Sequence, residues 1–340
     1  MSPRARNAFL VVAAVAVAAL SFWALAPEAA VAFWNGSIGS RNALLSGTLV
    51  RAIPLAIIGT GLAIAFRAGV FNIGGEGQLM LGAVAATLVA LRGDAGALTA
   101  PLALLAATAA GALWAGIAGV LRARFGVLEV ISTIMLNFVA MNLVSYLVRG
   151  PMQEPSRIYP QSAAIADVAQ LPRLAPDVRL HIGLVIVLGV CAGAWWFTSH
   201  TAAGFRQRAT GSAPIAARIA GGIDVSRVAL GAMLMSGALA GLAGGIEVTG
   251  VTFALYEHIS PGYGFSAIAV AVLARLNPIA VLPSALLFAT LETGALGMQR
   301  DAGVPSTFAA VLEAAAILAI VATHGWFRDA APRPRAAESA

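Results

Sequence analysis

The side chains best able to do chemistry in this sequence are carboxylates and amides set among apolar residues. Asn72, Glu76 and Gln78 share the glycine-rich block Asn72-Ile73-Gly74-Gly75-Glu76-Gly77-Gln78, which separates two strongly apolar runs. A charge at the centre of a membrane helix costs about 2.5–3.5 kcal/mol, so these groups are not expected to face lipid. A second set, Glu129, Thr133 and Asn137, recurs at a spacing that puts all three on one helical face, with Ser132 and Asn142 close by. That face is either glue between helices or the lining of a path; for Ser132 and Thr133 the glue reading is preferred. Asn72, Glu76, Gln78, Asn137 and Asn142 are the candidates for a translocation path, because amides can hydrogen-bond both the hydroxyls and the ring edges of a polar solute.

Other chemistries are excluded by what is missing. All 21 basic residues are arginine, so the chain has no lysine for a phosphate-binding loop and cannot energise itself by that route. The glycine block is not a dinucleotide fingerprint, since no β-strand precedes it. The single Cys191 rules out an intrachain disulfide or a paired-cysteine metal site, and His181, His200, His258 and His324 are too dispersed to bind a metal. No Ser stands at helical spacing from a His or Asp inside an apolar run, which argues against an intramembrane hydrolase. The net charge of +6 comes from arginines scattered at the ends of apolar segments, the signature of membrane topology and not of nucleic-acid binding.

The elements that must carry these groups follow from composition. With 59% hydrophobic and 11% charged residues, the chain has more apolar surface than a soluble domain can hide. It reads as an all-α polytopic protein embedded in the lipid bilayer, with about ten transmembrane helices and both termini cytoplasmic. The spans are placed at 8–26, 43–66, 79–91, 97–121, 127–148, 180–198, 228–247, a short one ending at Arg275, 279–296 and 306–323. Ala24-Leu25-Ala26 resembles a signal-peptidase site, but the first run is read as an uncleaved helix. Glycine and proline predict broken helices near 66–78 and 261–278. The proline-rich stretch 149–179 is read as an extracytoplasmic loop, residues 1–326 as one transmembrane domain, and 327–340 as a disordered cytoplasmic tail. Thirteen of the 21 arginines then fall on the inner side. Gly111, Ala115 and Gly119, and again Gly237, Gly241 and Gly245, form four-residue small-residue seams for close helix packing.

One inner loop differs from the rest. Residues 199–227 are polar and carry Arg206, Arg208, Arg218 and Arg227. Ser212 is suited to cap a helix with Ala213 and Pro214 in its first turn, a body of Ile215, Ala216, Ala217, Arg218, Ile219 and Ala220, and a stop at Gly221-Gly222. This predicts a short cytoplasmic helix able to seat in a partner.

Together these blocks resemble the permease subunits of ATP-binding-cassette importers for nucleosides and simple sugars, within the superfamily of branched-chain amino acid and ribose permeases. The resemblance rests on FRAGVFNIGGEGQLMLGA at 66–83, EVISTIMLN at 129–137, GFRQRATGSAPIAARIAGGIDVSR at 204–227, SGALAGLAGGIEVTG at 236–250 and GFSAIAVAVLARLNPIAV at 264–281. It implies a transport subunit, not an enzyme, in a bacterial cytoplasmic (inner) membrane. The implied partners are a cytoplasmic ATPase, a second related permease and an extracytoplasmic substrate-binding lipoprotein. It further implies that the chain binds no cofactor itself, ATP and Mg being used by the ATPase, and that Ser212–Gly221 is the ATPase-coupling helix. Ala274-Arg275-Leu276 departs from the small residues the resemblance leads one to expect there. The competing reading is an ion-coupled secondary transporter of a small polar solute, using Glu76, Glu129, Glu292 and Glu313.

Overall fold

The computed structural model describes residues 26–305 together with 307, 311 and 314. The expected spans at 8–26 and 306–323, Glu313 and the tail 327–340 lie, but for those isolated positions and Ala26, outside the described residues. Among the described residues the chain is helical, and its only β-type pairings are isolated bridges, Gln161 with Tyr256 and Arg173 with His181. Among the described residues six helices are long and apolar enough to cross a membrane, and Gly75–Ala90 and Tyr263–Leu273 are shorter apolar helices. These eight stand where eight of the ten spans were expected.

In chain order the helices are α1 (Pro27–Ser37), α2 (Leu49–Arg67), α3 (Gly75–Ala90), α4 (Thr99–Phe125), α5 (Glu129–Arg149), α6 (Gly183–His200), α7 (Ala202–Ser212), α8 (Pro214–Ile219), α9 (Val225–Glu247), α10 (Tyr263–Leu273) and α11 (Val281–Ala302). Single π-helical turns precede α2 at Ala43–Thr48 and follow α9 at Val248–Thr252. The chain divides into two compact units, Leu44–Ala289 and a smaller one of Met1–Ala43 with Thr290–Ala340.

In the smaller unit α1 lies between the first two expected spans. Pro27 at its start gives up an N–H that has no helical partner anyway, and Glu28 favours the positive end of the helix. Ala29 and Ala32 pack on Ala295 and Met298. At the crossing a Cβ on Gly36 would stand 2.6 Å from Gly297 Cα, so only glycine lets the backbones meet.

The larger unit is organised around α9, which packs on α4, α3 and α2. The two small-residue seams foreseen on separate spans find each other. A Cβ on Gly241 would fall on the Ala107 carbonyl oxygen, one on Gly237 on the Gly111 carbonyl oxygen, and one on Gly245 would stand 2.6 Å from Ala107 Cβ. The adjoining side of α9 meets α3 just as closely, Gly244 on the Leu79 carbonyl and Gly82 on the Gly241 carbonyl. Backbones brought this near gain dispersion contacts that lipid tails cannot supply.

Two boundaries differ from expectation. The first break is confined to 68–74, because α3 begins at Gly75 and takes Glu76 and Gln78 into its opening turns. The second is not continuous over 261–278: residues 263–273 are helical, and the interruptions fall on either side. Phe253 and Gly262 are left-handed before α10, with φ of +56° and +105°, and Arg275 and Leu276 after it, with φ of +51° and +58°. The last pair coincides with the unusual Ala274-Arg275-Leu276.

The long loop after α5 is tied down by its backbone. Ser162 and Ile165 amides donate to the Leu255 and Phe253 carbonyls, each at 2.9 Å, Leu171 N–H to Thr249 O at 2.8 Å, and Arg179 N–H to Ser46 Oγ at 3.0 Å. Sequence reading saw only proline and polarity there. Backbone pairing without periodic side chains leaves no pattern to read.

Candidate functional site

The break between α2 and α3 is where most of the singled-out polar residues converge. A chain that leaves helical geometry between apolar helices exposes N–H and C=O groups that must find partners. The face of α5 supplies them in register. Glu129 Oε1 accepts from Phe71 N–H at 3.3 Å, Thr133 Oγ1 from Ile73 N–H at 3.3 Å, and Asn137 Oδ1 from Gly77 N–H at 2.9 Å, while Asn137 Nδ2 donates to the Ile73 carbonyl at 2.9 Å. Spacing of four along α5 thus matches spacing of two, then four, along the segment it holds.

Asn72 and Gln78 close the break from the other side. Their amides exchange two hydrogen bonds of 2.9 Å, Asn72 Nδ2 also donates to Ser236 Oγ of α9 at 3.0 Å, and Asn72 Oδ1 accepts from Gly74 N–H at 2.9 Å. Glu76 reaches forward instead. Its Oε2 accepts from Gly264 N–H at 2.7 Å, and a Cβ on Gly264 would overlap the Glu76 backbone, so the N-termini of the two short helices α3 and α10 meet at this point. A carboxylate there satisfies an end amide of α10 and offsets the positive end of its dipole.

The five path candidates therefore separate into two groups. Asn72, Glu76, Gln78 and Asn137 are brought together and are between 0 and 3% exposed, with their polar atoms bonded inside the bundle. Asn142 is exposed on another face of α5 and donates to the Phe138 carbonyl at 2.8 Å. Five residues past Asn137 is about 140° around a helix, which removes Asn142 from the shared face. Sequence reading missed Ser236 and Arg122. Arg122 pairs with Glu129 at 2.8 Å, and its only signal was its place at a helix end.

One end of the same unit carries the basic hairpin, and here the expected cap is corrected. Ser212 does not cap the short helix; it ends α7, with Oγ donating to the Ala209 carbonyl at 3.3 Å. Ala213 is the N-cap of α8, its carbonyl accepting from Ala217 N–H at 2.9 Å, and Pro214, expected in the first turn, is the first helical residue. Cap choice shifted because α7, a helix of which sequence analysis saw only a loop, is itself capped by Thr201 accepting from Gly204 N–H at 3.0 Å and runs to Ser212. Gly222 takes φ of +58° and Ile223 N–H returns to the Ala217 carbonyl at 3.1 Å, which stops α8.

Within α8 only Ala217 is buried. Ile215 and Ile219, one turn apart, are 69% and 75% exposed, and Arg218 projects beside them. Pro214, Ile215, Arg218, Ile223, Asp224, Val225 and Ser226 line an open groove of about 330 Å³. Asp224 caps α9 by accepting from Arg227 N–H at 3.1 Å. The opposite end is marked by Arg149, which forms two hydrogen bonds to the Glu257 carboxylate, 3.2 and 2.7 Å, joined by Ser145 at 2.7 Å. The Arg149 guanidinium and Ser145 hydroxyl hold Glu257 below the usual carboxylate range. His181, just before α6, is fully buried, its Nδ1 accepting from Gly183 N–H at 3.1 Å. Burial, with a smaller push from Arg179, lowers it to about 4.

Comparison with known proteins places this architecture. The family model described as branched-chain amino acid transport system / permease component matches residues 44–321. The chain is 39% identical over 291 residues to the glucose ABC transporter permease protein TsgB13 of Haloferax volcanii, covering 82% of this chain and 76% of that one. It is 37% identical over 298 residues to the guanosine ABC transporter permease protein NupP of Bacillus subtilis, covering 86% and 85%. It is 33% identical over 296 residues to the nucleoside ABC transporter permease protein NupB of Lactococcus lactis, covering 84% and 80%. No solved structure matches it significantly. A multi-pass helical chain with this fastened break and basic hairpin, matched over most of its length, belongs to the branched-chain amino acid transport system permease family.

Proposed function

We propose that this chain is the membrane subunit of an ATP-driven importer for a nucleoside or simple sugar, with α8 as its docking element on a separate cytoplasmic ATPase. The observation that carries the reading is α8 itself: a two-turn helix presenting Ile215 and Ile219 outward while Ala217 faces its own hairpin. Exposed aliphatic pairs on a basic surface suit a groove in a partner protein. The docking face thus consists of Ile215, Arg218 and Ile219, with Ser212, Ala213, Pro214, Ala216, Ala220 and Gly221 shaping the hairpin that presents it. ATP and Mg belong to that partner, and this chain holds neither.

The rest of the assembly follows the same reading: a second related permease subunit to complete the path, an extracytoplasmic substrate-binding lipoprotein to deliver solute, and a cytoplasmic membrane of bacterial type. The glucose, guanosine and nucleoside relatives support a neutral, hydroxyl-bearing solute. Asn72, Glu76, Gln78 and Asn137 are assigned the role of fixing the broken helix beside the path. An ion-coupled carrier needs carboxylates open to the ion, whereas Glu129 is paired with Arg122 and Glu76 with the Gly264 amide.

The test is uptake by the complete system in proteoliposomes, with guanosine, adenosine, ribose and galactose competing for one labelled solute. Saturable uptake that requires ATP and the ATPase, inhibited by one solute class, is the expected result. Uptake driven by an ion gradient without the ATPase would sink the proposal.

A further inference from the structure

A docking role for α8 leaves two features of α7 unused. The last turn of α7 meets the end of α2 backbone to backbone: a Cβ on Gly211 would fall on the Arg67 carbonyl oxygen and stand 3.0 Å from the Gly69 amide nitrogen, and Gly69 has φ of +73°. On the same helix Gln207 and Thr210 are buried, yet Gln207 Oε1 and Thr210 Oγ1 have no hydrogen-bond partner. Gln207 Nε2 meets only the soft acceptor Met235 Sδ, at 3.9 Å. Thr87 and Thr198, in membrane helices, each bond the carbonyl one turn back at 2.8 Å; Thr210 does not. A permanent seat satisfies its buried polar atoms, and this one leaves two of them unmet.

We propose that α7 is the lever of the coupling hairpin and that the turn Arg67–Gly69 is what it moves, so that displacement of α8 is delivered directly to the broken segment 68–74. The inference rests on α8 being the docking element. From the turn onward the route is continuous. The Gly69 carbonyl accepts from Arg122 at 3.5 Å, Phe71 and Ile73 are held by Glu129 and Thr133 of α5, Asn72 is tied to Ser236 of α9, and Glu76 grips the start of α10. A seat with unmet donors and acceptors, joined by a glycine contact to a segment that is bonded as one body, provides the element with two arrangements that coupling requires. Gly211 and Gly69 are positioning residues in this scheme, since neither touches solute.

The assembled transporter tests it through uptake per ATP hydrolysed in Gly211→Ala and Gly211→Val. ATP hydrolysis is expected to persist while uptake per ATP falls on the order of tenfold for valine and less for alanine, within the range of ordinary coupling energies. A merely structural role would reduce the amount of complex recovered and leave that ratio unchanged; an unchanged ratio in both variants overturns the proposal. Where Gly211→Val does not assemble, thiol labelling of Phe71→Cys provides the second readout, because Phe71 is 55% exposed. Its labelling rate should respond to ATP with Gly211 present and cease to respond in Gly211→Ala; a rate indifferent to ATP with Gly211 present counts against the lever. Ile219→Arg separates the two levels. If the ATPase stays bound and active, the docking reading fails and the lever with it; if the ATPase is released while the Gly211 variants stay coupled, the lever alone fails.

Discussion

Asn137 shows how much a single amide can hold. It answers the backbone N–H of Gly77, in the first turn of α3, and the carbonyl of Ile73 in the break before it. Asn137→Ala leaves the buried Gly77 amide and the part-buried Ile73 carbonyl unpaired; with about 1–3 kcal/mol for a fully buried group, the solubilised protein should lose on the order of 2 kcal/mol of stability. Thermal unfolding in detergent checks this, and an unchanged midpoint would remove Asn137 from the fastening. His181 makes a prediction in pH. Folded, it stays neutral down to about pH 4, whereas the unfolded residue takes a proton near its ordinary value of 6.5. Acidification through that window protonates the unfolded chain first, so stability declines from pH 6.5 toward 4, by on the order of 3 kcal/mol in full. The unfolding midpoint of His181→Gln should vary less between pH 7 and 4.5 than that of the native chain, and parallel slopes would contradict the assignment.

Among the elements, α9 has the least room for change. Gly241 lies against the Ala107 carbonyl on one side of the helix crossing and serves Gly82 and Gly111 as a contact surface, so any side chain there must push α4 or α3 away. Gly241→Val should cost more than about 3 kcal/mol, beyond ordinary overpacking, because the opposing atoms are backbone and cannot rotate aside. Gly231→Val on the same helix meets nothing within 4 Å and is the matched control. Recovery of monodisperse protein after solubilisation reads the difference; equal yields would mean that the seam tolerates a side chain. The spacing of these glycines was legible in the sequence on both helices. Which seam takes which partner was not, since every small-residue stripe offers the same close approach.

For the molecule as a whole, the arginine bias predicts which loops share a side, and it puts the hairpin and the long loop on opposite ones. Gly69 touches Gly211 at the end of α5 that carries Glu129, while Arg149 and the loop that follows it stand at the other end of that helix. Cysteine at Ile219 should therefore label only from the cytoplasmic side of intact cells, and cysteine at Ile158, which is 71% exposed in that loop, only from outside. Native Cys191 is buried beside Thr60 and should stay silent. Labelling of both positions from one side would overturn the orientation.

By itself the sequence determined what a local rule can carry. Apolar run length placed eight of the spans, four-residue spacing put Glu129, Thr133 and Asn137 on one face, and Pro214 marked the first turn of α8. The tertiary structure decided what those faces meet. Asn72, Glu76 and Gln78 read as path residues because polar groups in apolar runs must have a partner; the partners turned out to be one another, Ser236 and the Gly264 amide, between 6 and 188 positions away. Helix α7 was invisible for the same reason: its polar composition forms a helix because Gly204, Gln207 and Thr210 are buried in its packing with α6, α9 and α2. Propensity is a property of a segment, and burial is a property of its neighbours.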